Sequence, residues 1–253
     1  MPKRGAYGQI HMSSGRYRSR VVCGRSDLKA SFALRHAAFF GAAGLDTDGF
    51  DAACHHILIE DHETAELVCS FRVLLLEDGA ELNQSYSYQY YELTRLTSYS
   101  SRMMEVGRFC VLPGLLDPDV LRFAWAIMAA IVDVLDVKML FGCTSFAGTQ
   151  IAPYNKSFGL LRDRYLAPLE WSPGIKAPFV HEFDTHCDHQ TDIRHAMRGM
   201  PPLLRTYLMM GGWVSDHAVI DKKMNTLHVF TGLEVSIIPE GRKQLLRAVP
   251  LRT

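Results

Sequence analysis

The chain has six cysteines, Cys23, Cys54, Cys69, Cys110, Cys143 and Cys187, but no CxxC pair among them. That excludes a CxxC-type redox or zinc motif and fits free thiols in a reducing, cytoplasmic setting. Net charge is also lacking: 27 Lys and Arg stand against 27 Asp and Glu. The molecule as a whole is therefore not a nucleic-acid binder by charge, and no nucleic-acid partner is expected. The first 20 residues hold no apolar segment, so no signal peptide is expected. The most apolar stretch, after Asp117, is interrupted by Arg122 and Asp133 and is too charged for a membrane span. Repeats and low-complexity tracts are absent. What remains is 253 residues with an ordinary 48% hydrophobic content. That is one large domain, or one domain with an appended subdomain.

Charge is uneven along the chain. Lys3, Arg4, Arg16, Arg18, Arg20 and Arg25 lie between Met1 and Arg25 with no acidic residue among them. Residues 1–25 read as a basic N-terminal arm, either a solvated tail or a contact for an acidic partner such as anionic lipid head groups. The rest, 26–253, reads as a single domain. Ser26 is a good N-cap for a helix running to about Phe40. Leu28, Phe32, Arg35 and Phe39 share one face of it. Arg35 on that apolar stripe either snorkels outward or reaches a carboxylate. The loop 41–49 and Asp51 carry Asp46 and Asp48 as well, as turn formers or as a negative cup for a cationic amine.

Strands are predicted over 55–60 and 65–76, with Arg72 inside the second. A tyrosine-rich connection follows over 77–102, a lining or lid for an acyl chain or simple aromatic packing. Asp117-Pro118 opens a buried helix to about Val137. Residues 150–200 read as an irregular insertion broken by prolines. Its His181, His186, Cys187, His189 and His195 fit no zinc spacing, and no metal is expected. Pro201 to Met210 is a short helix and Leu227 to Ile238 a late strand. Strands alternating with helices give an α/β class with a mixed, twisted central sheet.

The central stretch is Met103-Met-Glu-Val-Gly-Arg-Phe-Cys-Val111, a strand with Glu105 and Arg108 in apolar company. Buried charges are costly unless paired or used. Side chains alternate along a strand, so the two point oppositely unless Gly107 marks a bulge that resets parity. A plain Glu–Arg pair and a ligand-directed pair of tools both remain open.

Several motifs carry a resemblance. Glu105-x-x-Arg108, Arg35-x-x-x-Phe39, Asp48-x-x-Asp51 and Phe71-Arg72 are similar to acyl-homoserine-lactone synthases, a branch of the GNAT acyltransferases. The Trp usual after their first helix is replaced by Gly41-Ala-Ala-Gly-Leu45. Glu105 to Val111, Leu140-Phe-Gly-Cys-Thr-Ser-Phe-Ala-Gly-Thr149, Pro201 to Leu208 and Gly211-Gly-Trp-Val214 resemble the bacterial ornithine N-acyltransferases of ornithine-lipid synthesis. An acidic residue expected near His228 is missing from Asn225-Thr-Leu-His228.

The resemblance implies a GNAT-like fold and transfer of a 3-hydroxyacyl group from acyl carrier protein to the α-amine of L-ornithine. The product would be lyso-ornithine lipid. It implies catalytic Glu105 and Arg108, with Arg35, Phe39, Asp48, Asp51, Arg72 and Ser145 binding substrate. No separate cofactor is expected, since the acyl-phosphopantetheine of the carrier is itself the donor substrate. Phe109-Cys-Val-Leu-Pro-Gly-Leu115 lacks the Gly-rich pyrophosphate loop of simple GNAT enzymes, which disfavours coenzyme A. The expected location is cytoplasmic, with peripheral contact at an anionic inner membrane. The alternatives are a synthase of another N-acyl amino acid or homoserine lactone, and a non-catalytic membrane-surface protein.

Overall fold

The computed structural model describes residues 11–183 and 193–247. In chain order the elements are β1 (Ser13–Ser14), β2 (Tyr17–Val21), α1 (Arg25–Phe40), β3 (His55–Asp61), β4 (Leu67–Leu76), β5 (Tyr91–Glu92) and β6 (Met103–Val111). Then come α2 (Pro118–Leu135), β7 (Met139–Ala147), α3 (Asn155–Arg164), β8 (Gly174–Ile175), β9 (Val180–Glu182) and α4 (Ile193–Arg198). The last are α5 (Pro202–Met209), β10 (Trp213–Val214), β11 (His217–Asp221), β12 (Thr226–Glu234) and α6 (Glu240–Arg247). The fold is α/β, with a mixed sheet and flanking helices. Among the described residues no helix is long and apolar enough to cross a membrane.

The chain divides into two compact units. The first takes residues 1–75, 106–138 and 239–253. Its strands run in the order β1, β2, β3, β4, β6, with β1 to β4 antiparallel. Helix α1 lies on β3, and α2 packs on β2 and α6. The second takes residues 76–105 and 139–238. Its order is β6, β7, β12, β11, β9, with β10 also on β12. Here β6 and β7 are parallel over Met103–Glu105, and β7 and β12 are antiparallel along their whole length. Beneath that sheet, Phe146, Leu227 and Val229 pack with Phe158 and Leu161 of α3 and Leu204 and Leu208 of α5.

The basic arm is not a free arm where it is described. Tyr17–Val21 pairs with β3 from Tyr17↔Asp61 to Val21↔Ile57. Tyr17 and Ser19 turn inward and Arg18 outward, the period-2 pattern of a strand. Acidic partners wait on β3 and α1. Arg16 pairs with Asp61, Arg18 with Glu60, and Arg20 with Glu60 and Asp27. Those arginines are answered within the chain, while Lys3 and Arg4 lie outside the described residues. Helix α1 begins at Arg25 on an N-cap Gly24, not at the expected Ser26. Among the described residues no side chain caps it; Asp27 in its first turn instead accepts the N–H of Cys23, just ahead of the helix, at 3.1 Å.

The 150–200 insertion is more regular than expected, because Pro153 precedes α3 instead of breaking it. His186, Cys187 and His189 lie outside the described residues. Among the described ones no group of three metal-ligating side chains assembles.

Asp117 caps α2 as predicted, accepting the Asp119 N–H at 2.8 Å, and also takes the Tyr17 hydroxyl at 2.5 Å. Asp117→Ala removes both bonds. Loss of an N-cap costs about 0.5–2 kcal/mol, and the unpartnered tyrosine adds to it. Chemical denaturation should show the midpoint falling with an unchanged slope; an unaltered midpoint would refute the cap.

Candidate active site

In the first unit the sequence brings three arginines to three aspartates. Arg35 comes from α1, Arg72 from β4 and Arg108 from β6. Asp46, Asp48 and Asp51 come from the segment after α1. Arg35 donates through Nε to Asp46 at 2.8 Å and through Nη1 to Asp51 at 2.7 Å. Its Nη2 is also 2.8 Å from Asp46 but off the hydrogen-bonding line, which leaves that nitrogen poorly matched. Arg72 bridges Asp48, at 2.5 and 2.9 Å, and Asp51 at 2.6 Å. Arg108 reaches Asp46 at 3.0 Å and Asp48 at 2.9 Å.

Arg35 therefore does not snorkel. It is 1% exposed, with its guanidinium 5.1 Å from the Phe32 ring centre. The aspartate loop is no open negative cup, since each of its carboxylates faces a guanidinium. Burial alone would raise the pKa values of Asp48 and Asp51. The Arg72 bonds to Asp48 and the Arg35 bond to Asp51 outweigh it and hold both below the usual carboxylate range. His56 stands opposite Arg72 on β3, and its Nε2 lies 3.0 Å from the Asp51 carbonyl. Phe39, one turn beyond Arg35, is half-buried on α1.

The strand is irregular beside Gly107. Arg108 takes a left-handed φ of 51°, rare for a side-chain-bearing residue in a strand. A Cβ added to Gly107 would lie 3.5 Å from Arg72 Nε. Arg108 and Arg72 also meet at Asp48.

In the second unit Glu105 is held by three donors. Its oxygens accept the Tyr86 N–H at 2.9 Å, the Ser87 N–H at 2.8 Å and the Ser87 hydroxyl at 2.6 Å. Ser87 Oγ also lies 3.5 Å from Cys143 Sγ on β7. Ser87 carries no linear signal, being 18 residues from Glu105 in an irregular connection. Ser145 is exposed on β7, directly across from His228 on β12. The Tyr91 hydroxyl lies 2.9 Å from the His228 carbonyl and 3.0 Å from its Nδ1. A carbonyl only accepts, so the phenolic proton is assigned to it and Nδ1 carries the ring proton. His228 Nε2 is then a bare lone pair, buried and without a partner among the described residues. The acidic residue absent from the sequence around His228 arrives from β11. Asp221 accepts the Tyr90 hydroxyl at 3.2 Å, and the Tyr90 ring centre is 4.9 Å from that of His228.

Residues 31–126, which hold Glu105 and the whole arginine–aspartate network, match the family model described as an acetyltransferase (GNAT) domain. The L-ornithine N(alpha)-acyltransferase of Agrobacterium fabrum is 30% identical over 200 residues, covering 76% of this chain and 68% of that protein. The chain belongs to the L-ornithine N(alpha)-acyltransferase family. Its Rhodobacter capsulatus member is 29% identical over 244 residues, covering 90% of this chain and 93% of that one. Among solved structures, FeeM, an N-acyl amino acid synthase from uncultured soil microbes, shares the fold at 10% identity. Its TM-score is 0.50, with 88% of this chain and 94% of that chain covered.

In this family member the arginine–aspartate network carries a pH signature. The depressed pKa values of Asp48 and Asp51 mean that their stabilisation is complete above about pH 4, the unfolded carboxylate value. It is lost as pH falls through the lower folded values. Arg72→Met leaves Asp48 with Arg108 and Asp51 with Arg35 but removes the guanidinium shared by both carboxylates, costing up to about 3–5 kcal/mol at neutral pH. Melting curves from pH 7 to pH 2 should show wild type and variant converging only under acid. A constant gap across that range would rule the network out as its source.

Proposed function

We propose that this protein transfers a 3-hydroxyacyl group from acyl carrier protein to the α-amine of L-ornithine, forming lyso-ornithine lipid. The observation that carries the reading is a charged, buried constellation inside the region matching the acetyltransferase model, in a chain whose curated relatives are named for ornithine acylation. The amine nitrogen attacks the thioester carbonyl, the C–S bond breaks and the phosphopantetheine thiol leaves. Two protons leave the nitrogen: the base takes the one that turns the ammonium into a free amine and releases it to solvent, and the second passes, after attack, to the departing sulfur. The α-ammonium has a reference pKa of about 8, within reach of a carboxylate acting through one water.

Glu105 is the proposed base. Ser87 and Tyr86 fix its orientation, which suits it to align a water. Arg108, the most exposed of the three arginines at 10% of its side chain, is proposed to meet the carboxylate of the amino acid. Arg35, Arg72, Asp48 and Asp51 hold Arg108 in place and balance its charge. Phe39 and Ser145 are proposed to contact substrate. The missing pyrophosphate loop over 109–115 supports a carrier-bound donor, whose phosphopantetheine has no nucleotide to hold.

The assay is acyl transfer with one acyl length presented on carrier protein or on coenzyme A, to ornithine and a panel of other amino acids, read by mass spectrometry. Carrier-bound donor and ornithine should give the highest kcat/KM. Equal rates with coenzyme A would defeat the donor assignment. A different preferred amino acid would make this a synthase of another N-acyl amino acid.

Glu105→Gln tests the base. Its turnover should fall by about 100- to 10,000-fold, the usual contribution of general-base catalysis. The amide also turns an NH2 towards donors on Ser87 and Tyr86, so its melting temperature should fall as well. Single-turnover rates well below the melting transition separate the two effects. A folded, fully active variant would remove Glu105 from the chemistry.

A further inference from the structure

Two buried imidazole nitrogens of the second unit, His217 Nε2 and His228 Nε2, have no partner among the described residues, and the surroundings of His228 indicate what would supply one. His228 is 2% exposed, and Tyr91 fixes its Nδ1–H, so Nε2 presents only a lone pair. Burial pulls its pKa down to about 4 against the opposing charge of Asp221, so the ring is neutral at pH 7 and the lone pair stays available. Buried acceptors in native proteins are met by protein, water or ligand. An isolated one is expensive to keep, so an unmatched lone pair marks a place where a donor arrives. Ser145 faces His228 across the β7–β12 ladder and is exposed, while His228 itself is covered by Tyr90 and Tyr91. Residues directly opposite on an antiparallel ladder have Cβ atoms about 5 Å apart. The two side chains therefore share one face of the sheet, with Ser145 at its surface and Nε2 buried beside it.

An acyl transfer to an amine brings three donors: the ammonium of the acceptor, the amide N–H groups of the pantetheine arm and any hydroxyl of the acyl chain. An ammonium would be drawn to carboxylate. The nearby Asp221 is instead occupied by the Tyr90 hydroxyl at 3.2 Å and the Met224 N–H at 3.0 Å. The other rings around the imidazole are Tyr90, Tyr91 and, beyond Tyr91, His217 and Phe230. The pantetheine amides are common to every donor, so only the hydroxyl can distinguish one acyl chain from another. That setting suits an acyl chain carrying one hydroxyl. We propose that His228 Nε2 accepts a hydrogen bond from a hydroxyl of the bound acyl chain, making His228 the residue that selects hydroxylated over plain acyl donors. This rests on the acyl-transfer reading above and assigns its chain specificity to a named atom.

The test has two arms. The first measures kcat/KM for 3-hydroxyacyl and plain acyl donors of equal length on carrier protein, in wild type, His228→Phe and His228→Gln. Wild type should prefer the hydroxylated donor by about 10- to 100-fold, the size of one unmade bond to a buried neutral group. The preference should fall to within about threefold in His228→Phe and return in part in His228→Gln, whose amide oxygen can accept. The second arm needs no turnover. The Nε2 resonance of His228, followed by nitrogen-15 NMR, should move on adding 3-hydroxyacyl-pantetheine and stay put with the plain analogue. An Nε2 signal indifferent to the hydroxyl, or a preference surviving intact in His228→Phe, would overturn the proposal. If no acyl donor is turned over, the activity reading fails while the NMR arm still decides the hydroxyl contact.

Discussion

Burial of guanidinium groups is the constraint on which the first unit depends. Arg35 and Arg72 are almost wholly inaccessible, and an unpaired charge there would be prohibitive. The segment after α1 must therefore return Asp46, Asp48 and Asp51 to the sheet. The geometry is mutual. Asp51 joins Arg35 to Arg72, Asp48 joins Arg72 to Arg108, and Asp46 joins Arg108 to Arg35. The result is a closed ring of alternating charge tying a helix, a loop and two strands together. Such a ring does not maximise stability, since well-packed apolar residues would often do as well. Its value is positional: each guanidinium is fixed by two carboxylates.

The backbone break beside Gly107 belongs to the same constraint. A Cβ at Gly107 would meet Arg72 at ordinary contact distance, so the glycine is not required by space; the left-handed φ at the next residue, Arg108, is strain held by its two ion pairs.

The strands and the capped helix α2 were legible because local signals agreed: period-2 apolar runs, Asp-Pro at the helix start, charges isolated inside strands. In the basic stretch, charge composition masks the strand alternation of Tyr17-Arg-Ser-Arg-Val21, and its partners Glu60 and Asp61 lie 40 to 45 residues away. Helix α3 was hidden by neighbouring prolines and by Gly159. At the site, Arg35, Asp48, Asp51, Arg72 and Arg108 were identified individually, but the sequence left open whether Glu105 and Arg108 served each other. The structure gives each its own partners. Those described for Glu105, the Tyr86 and Ser87 N–H groups and the Ser87 hydroxyl, lie 18 and 19 residues away in an irregular connection with no periodic signal. Asp221 beside His228 was invisible for a related reason: strand pairing, not proximity in sequence, places it there.

Satisfied and unsatisfied polar groups also divide the labour. The aspartates of the ring are filled by arginine donors, and filled groups hold shape. Asp221, likewise, is occupied by Tyr90 and Met224. His228 differs in kind. Every feature around it fixes the ring, from the Tyr91 hydroxyl at Nδ1 to the burial that keeps it neutral, yet nothing answers Nε2. A side chain whose orientation and protonation state are both determined, while its buried lone pair is left unmatched, is preorganised for a donor. Preorganisation of this sort gives discrimination instead of raw affinity, because a ligand without the donor leaves the acceptor buried and unpaired.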